Sequence, residues 1–164
     1  MTRTSRSLVL LLIVLCCVGC DQVSKSAARA HLVPGETISL LRDTVRLEYT
    51  GNPGAFLSLG QSLPSELRQT LFTYGGLLLV AAAGAWALAS KRLTPSQTLG
   101  AGLICGGGMG NLIDRFSHGG DVTDFLNVGL GPLRTGIFNI ADFALLVGLA
   151  IIVVSGTHGG RELT

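Results

Sequence analysis

Residues 137–155 read IFNIADFALLVGLAIIVVS, an apolar run that carries a single charge, Asp142, near its start. A helix that crosses a bilayer needs roughly 20 mostly apolar residues, and this run is about that long. A carboxylate set into such a run is costly beside hydrocarbon, so it marks function more readily than packing. Working outward, three other stretches have the same character. Residues 97–113 are apolar and rich in glycine, residues 70–90 carry no charge, and residues 7–26 begin as unbroken apolar sequence from Ser7 to Cys20. Of the 164 residues, 48% are hydrophobic and 13% are charged, against roughly 25% charged in a typical soluble domain. A chain this short has too little interior to bury so much apolar surface, so the bilayer is read as its solvent. The expected fold is mainly α and integral to the membrane, with four transmembrane helices in a single domain over residues 1–164.

Basic residues near span ends set orientation. Arg3 and Arg6 precede the first span, Lys91 and Arg92 separate the second and third, and Arg161 follows the fourth. This places both termini in the cytoplasm. Two segments then face outward. In residues 30–67, Thr37 to Leu40 and Thr44 to Tyr49 alternate polar with apolar, the period of a half-buried strand, and Thr50-Gly51-Asn52-Pro53-Gly54 has turn chemistry. The expectation is a small extracytoplasmic β-sheet between the first two helices. Residues 114–136 read as loop, with Gly119-Gly120 and Gly129 to Pro132. The rival reading of the first span is a secretory signal, since Leu15 to Cys20 has the look of a small-residue run before a lipidated cysteine.

Every acid except Glu162 falls on the outward side, and Asp21, Asp114, Asp124 and Asp142 lie near membrane boundaries. Two carboxyl groups that share one proton can hydrolyse an amide, the ionised member drawing a proton from water while the other polarises the carbonyl. Other chemistries find less support. There is no G-x-S-x-G elbow and no H-E-x-x-H. Cys16, Cys17, Cys20 and Cys105 have no zinc spacing, so neither metal nor organic cofactor is expected. The net charge of +2 is small and scattered, which argues against nucleic acid. A proton-coupled carrier is the alternative function, but it would spread its acids along the membrane depth.

Five short motifs then line up in order. They are Asp21-Gln22-Val23-Ser24-Lys25, Asn52-Pro53-Gly54-Ala55-Phe56, Gly110-Asn111-Leu112-Ile113-Asp114-Arg115, Val122-Thr123-Asp124-Phe125 and Phe138-Asn139-Ile140-Ala141-Asp142. In this order, and placed relative to four spans, they resemble the motifs of the lipoprotein signal peptidase (signal peptidase II) family over nearly the whole chain. The resemblance implies an aspartyl endopeptidase with Asp124 and Asp142 as its catalytic pair; Asp114 with Asp142 is the alternative pair. Asn111, Asp114 and Arg115 would shape the site or hold substrate, and Asn139 would position the pair. Asp21 and Lys25 would be structural or substrate-orienting. Asn52, Gly54 and Phe56 would belong to a loop closing over the substrate, with Val122 and Ala141 completing the motifs. The implied substrate is a prolipoprotein bearing a diacylglyceryl group on a cysteine, cut just before that cysteine near the outer leaflet of the bacterial inner membrane. The implied partners are this substrate and membrane lipid, the enzyme acting as a monomer. The first span would remain uncut, since Asp21 and Lys25 are attached to it. Two departures stand out. Gly54-Ala55-Phe56 is one small residue shorter than the commonest form, and Gly108-Met109 replaces an alanine and a bulkier aliphatic.

Overall fold

The computed structural model describes residues 2–54, 62–90 and 93–159; Phe56, Lys91, Arg92 and Arg161 fall outside them. Helix α1 runs Arg3–His31 and starts where the Thr2 side chain accepts the Ser5 amide N–H. Helix α2 (Ser65–Gln69) passes through a π-helical turn, Thr70–Gly75, into α3 (Gly76–Ala89). Helix α4 (Pro95–Ser117) opens on a capping box: Thr94 and Gln97 exchange side-chain to backbone bonds, and Pro95 takes the first helical position, where its missing N–H costs nothing. Helix α5 is Ile140–Gly159. By length and composition, Arg3–His31 and Ser65–Ala89 can cross a membrane; Ile140–Gly156 is apolar but shorter. Large apolar side chains such as Leu12, Leu78 and Val153 stand exposed along these helices, as they do where lipid is the solvent.

Helix α4 is the centre of the bundle and packs against α1, α3 and α5. Glycine makes this possible on two faces. A Cβ at Gly107 would stand 2.5 Å from the Ala141 carbonyl oxygen on α5, and one at Gly106 would stand 2.6 Å from the Cys17 Cβ on α1. In lipid, such close backbone approach supplies much of the attraction between helices. Gly107→Ala is therefore expected to cost about 1–3 kcal/mol by overpacking and to displace the start of α5. Gly19→Ala, with nothing within 4 Å, is expected to leave the melting temperature in detergent nearly unchanged. Equal melting of the two variants would contradict this packing.

The β-structure differs from the sequence expectation in two respects. The sheet has four antiparallel strands in the order β1 (Ile38–Leu40), β2 (Val45–Asn52), β3 (Val122–Leu130) and β4 (Leu133–Arg134). Half of it therefore comes from the segment between α4 and α5, which reads as loop. Most of β3 is buried; a strand covered on both faces loses the alternation that betrays a half-exposed one. Secondly, Thr50 to Asn52 are not turn but strand, paired with Asp124, Thr123 and Val122 across a register shift that follows Leu47. Residues opposite one another share a face. One face of the sheet thus gathers Ile38, Leu40, Val45, Leu47, Leu126 and Val128, and the other gathers Ser39, Arg46 and Asn127. Asp124 lies on β3 two residues before Leu126, on the apolar face.

Candidate active site

The site is built where the start of α5 meets α1, α4 and the inner ends of β2 and β3. A helix start leaves backbone N–H groups without partners. Here two of them are met by side chains: Asn139 Oδ1 accepts from the Asp142 amide at 2.9 Å, and Asp21 Oδ1 accepts from the Ala141 amide at 2.9 Å. Gly110 leaves room for that reach, since a Cβ there would stand 2.6 Å from Asp21 Oδ2. Asp142 thus sits in the first turn of α5, where the helix dipole favours a negative charge.

Asparagines orient both outer carboxyl groups. Asn139 Nδ2 donates to Asp124 Oδ1 at 2.6 Å, and Asn52 Nδ2 donates to Asp124 Oδ2 at 2.8 Å. Asn52 Oδ1 in turn accepts the Gly54 amide at 2.9 Å. On the other side, Asn111 Nδ2 donates to Asp142 Oδ1 at 2.8 Å. Burial, with the charge of Asp142 adding to it, pushes the Asp124 carboxyl up to about 7 against the pull of its two amide donors.

Beneath these lies a fully buried ionic cluster. Lys25 Nζ sits 2.8 Å from Asp21 and 3.3 Å from Asp114, and it donates to Asn111 Oδ1 at 2.9 Å. Asp114 is otherwise occupied as well: Oδ2 accepts the Thr123 amide at 2.9 Å and Oδ1 accepts from Gln22 at 3.2 Å. Arg115 reaches the Gly54 carbonyl at 2.8 Å, while its buried Nε has no hydrogen-bond partner among the described residues. A cavity of about 750 Å³ opens beside the site. Asn52, Asn111, Arg115 and Asp142 form its polar end, and Leu79, Val80, Ala83 and Leu145 lie along its apolar wall.

Of the residues singled out from sequence, the structure gathers Asp21, Lys25, Asn52, Gly54, Asn111, Asp114, Arg115, Val122, Asp124, Asn139, Ala141 and Asp142 into this one region. Phe56 lies outside the described residues. Sequence reasoning passed over Gln22, Arg29 and Thr123. Arg29 donates to the Thr123 hydroxyl at 2.8 Å and approaches Asp114 at 3.8 Å. The signal was present: Asp21, Lys25 and Arg29 recur every four residues, one stripe of a helix. Among the described residues, no group of three or more His, Cys, Asp or Glu is placed to hold a metal ion.

What the fold and site define is a helical membrane protein with its buried acids gathered at one end of the bundle. Comparison with known proteins makes this specific. Residues 13–157 match the family model described as signal peptidase (SPase) II. The chain is 35% identical over 170 residues to a lipoprotein signal peptidase of Rhodococcus jostii, covering 96% of this chain and 80% of that protein. It is 34% identical over 144 residues to one of Mycobacterium leprae, covering 85% of this chain but only 66% of that protein's length. A solved bacterial membrane enzyme, determined by the in meso method at 2.3 Å resolution, superposes with a TM-score of 0.83 over 94% of this chain and 91% of its own at 22% identity, a likeness of fold. The chain belongs to the signal peptidase II family.

Proposed function

We propose that this chain is a membrane-embedded aspartyl endopeptidase that removes signal peptides from diacylglyceryl-modified prolipoproteins, cutting just before the lipidated cysteine. The observation that carries the reading is the pairing of two buried aspartates held by asparagine amides: Asp142 lines a largely apolar cavity, and Asp124 lies behind Asn52, which also lines it. The pair shares one proton because the charge of Asp142 makes Asp124 harder to ionise. One member takes a proton from water as the water attacks the scissile carbonyl, and the other gives its proton to the carbonyl oxygen. Asp114 is the weaker partner for Asp142, since Lys25, Gln22 and the Thr123 amide already occupy its oxygens. The unpartnered Nε of Arg115 suits a substrate carbonyl.

The apolar cavity suits the acyl chains and the apolar part of a signal peptide, the polar end meeting the peptide where it leaves hydrocarbon. In this reading all four long helical segments span the bacterial inner membrane, both termini are cytoplasmic, and the site lies near the outer leaflet. One chain supplies every group, so a monomer suffices.

The experiment is a gel-shift assay with purified protein in detergent and a lipidated prolipoprotein. The expected product is shorter and keeps its lipid. No cleavage by folded protein would set the proposal aside. Because carboxyl groups alone supply the proton transfers, EDTA is expected to leave the rate unchanged. A loss with chelator that a divalent cation restores would overturn the metal-free mechanism.

A further inference from the structure

The asparagines do more than fill space, because each has its amide orientation fixed. An ammonium only donates, so Lys25 Nζ at 2.9 Å requires that Asn111 present Oδ1 to it. Asn111 Nδ2 must then face Asp142 Oδ1, at 2.8 Å. The chain Lys25–Asn111–Asp142 is thereby polarised in one direction: positive charge draws density from the amide and sharpens its N–H toward the carboxylate. Asp124 is held differently. Its two oxygens take N–H groups from Asn139 and Asn52, whose own Oδ1 atoms are locked by backbone amides. Those donors are neutral and fix its plane, without a formal charge behind them.

We propose, resting on the dyad reading above, that Lys25 is a positioning residue for the reaction, acting through Asn111 to keep Asp142 as the ionised member of the pair while Asp124 carries the shared proton. Two helices bring cations toward Asp142. Helix α1 brings Lys25, with Asp21 spent on it and on the Ala141 amide; α4 brings Arg115, with Asp114 spent on Lys25 and Thr123. The α5 N-terminus adds its dipole. Asp124, from β3, is the like charge that opposes them, and Asp121, just ahead of that strand, acts on Arg115. The cavity wall from Leu71 to Ala83 carries no charge.

The step then balances. Water oxygen bonds to the carbonyl carbon and its proton passes to Asp142, while Asp124 delivers its proton to the carbonyl oxygen. On collapse the C–N bond breaks, Asp142 returns its proton to the leaving nitrogen, and Asp124 recovers one from the gem-diol.

The test is the pH dependence of kcat on a lipidated prolipoprotein for wild type, Lys25→Gln and Asn111→Leu, with Asp124→Asn and Asp142→Asn assayed alongside. Either relay variant is expected to move the acid limb up by about one to two pH units, the worth of a charge-assisted hydrogen bond, so that the loss is largest at low pH. A uniform loss at every pH would show that Lys25 and Asn111 only hold the fold, and would overturn the proposal. Lys25→Gln leaves two buried acids without their cation; where it fails to accumulate, Asn111→Leu, which keeps that cluster, decides alone. Activity persisting in Asp124→Asn or Asp142→Asn would remove the dyad itself, an outcome separate from an unmoved acid limb with both of those variants inactive.

Discussion

Asp124→Asn and Asp142→Asn are each expected to lower cleavage by about 10²–10⁴-fold, the worth of a positioned acid or base, while the protein remains folded. The two substitutions differ in detail. An amide at position 142 still offers an oxygen to Asn111 Nδ2 but cannot take a proton from water. At position 124 an amide has one oxygen for two donors, so Asn52 or Asn139 meets a second N–H₂ and the plane of the group is freed. Stability at that position should nonetheless respond to pH in the variant's favour. The Asp124 carboxyl titrates near 7 in the fold against an ordinary 3.8, so the folded state holds the proton more tightly than the unfolded one. Stability then falls as pH rises from about 4 to about 7, a penalty that the amide lacks. Melting temperatures in detergent at pH 5 and pH 8 should show Asp124→Asn gaining on wild type as pH rises. An unfolded Asp124→Asn, or wild-type activity in either variant, would contradict this account.

The second large effect is expected at Asp21. Asp21→Ala removes a buried partner 2.8 Å from Lys25 and the acceptor of the Ala141 amide at once. Breaking a buried pair leaves its partner charge uncompensated and costs about 3–5 kcal/mol, a large share of a total stability of about 5–15 kcal/mol. The variant should accumulate poorly and melt far below wild type. The pair between Arg46 and Asp43 is a useful contrast. Its groups lie 2.6 Å apart but both are partly exposed, and such pairs contribute about 0–1 kcal/mol. Arg46→Ala should barely move the melting temperature. Comparable losses at Asp21 and Arg46 would mean that burial does not set the scale here.

The helices were legible because apolar runs of membrane length have few other uses. The helix starts were less so: the third run was read from residue 97, while the helix begins at Pro95 behind the Thr94 cap. Strand β3 was not legible, because burial on both faces erases period-two alternation, and its partner segment Thr50 to Asn52 looks like a turn while serving as a strand end. The π-helical turn at Thr70–Gly75 leaves no sequence signature that was read. For the site, motif order marked the residues, but not which asparagine serves which carboxyl group. That depends on β2, β3 and α5 meeting, a long-range fact. Asn111 is an instance: the sequence marked it as shaping the site or holding substrate, but not that it would bridge Lys25 and Asp142.

Asn139 has a consequence for drug resistance. One side chain secures the first turn of α5 through its oxygen and the Asp124 carboxyl through its nitrogen. A mutation that loosened an inhibitor's grip on the acids by altering Asn139 would loosen the helix start with it. Escape from a compound aimed at the polar end therefore has few open routes there. It should arise instead along the cavity's apolar wall, at Leu79, Val80 or Ala83, where one aliphatic can replace another with little harm to the fold.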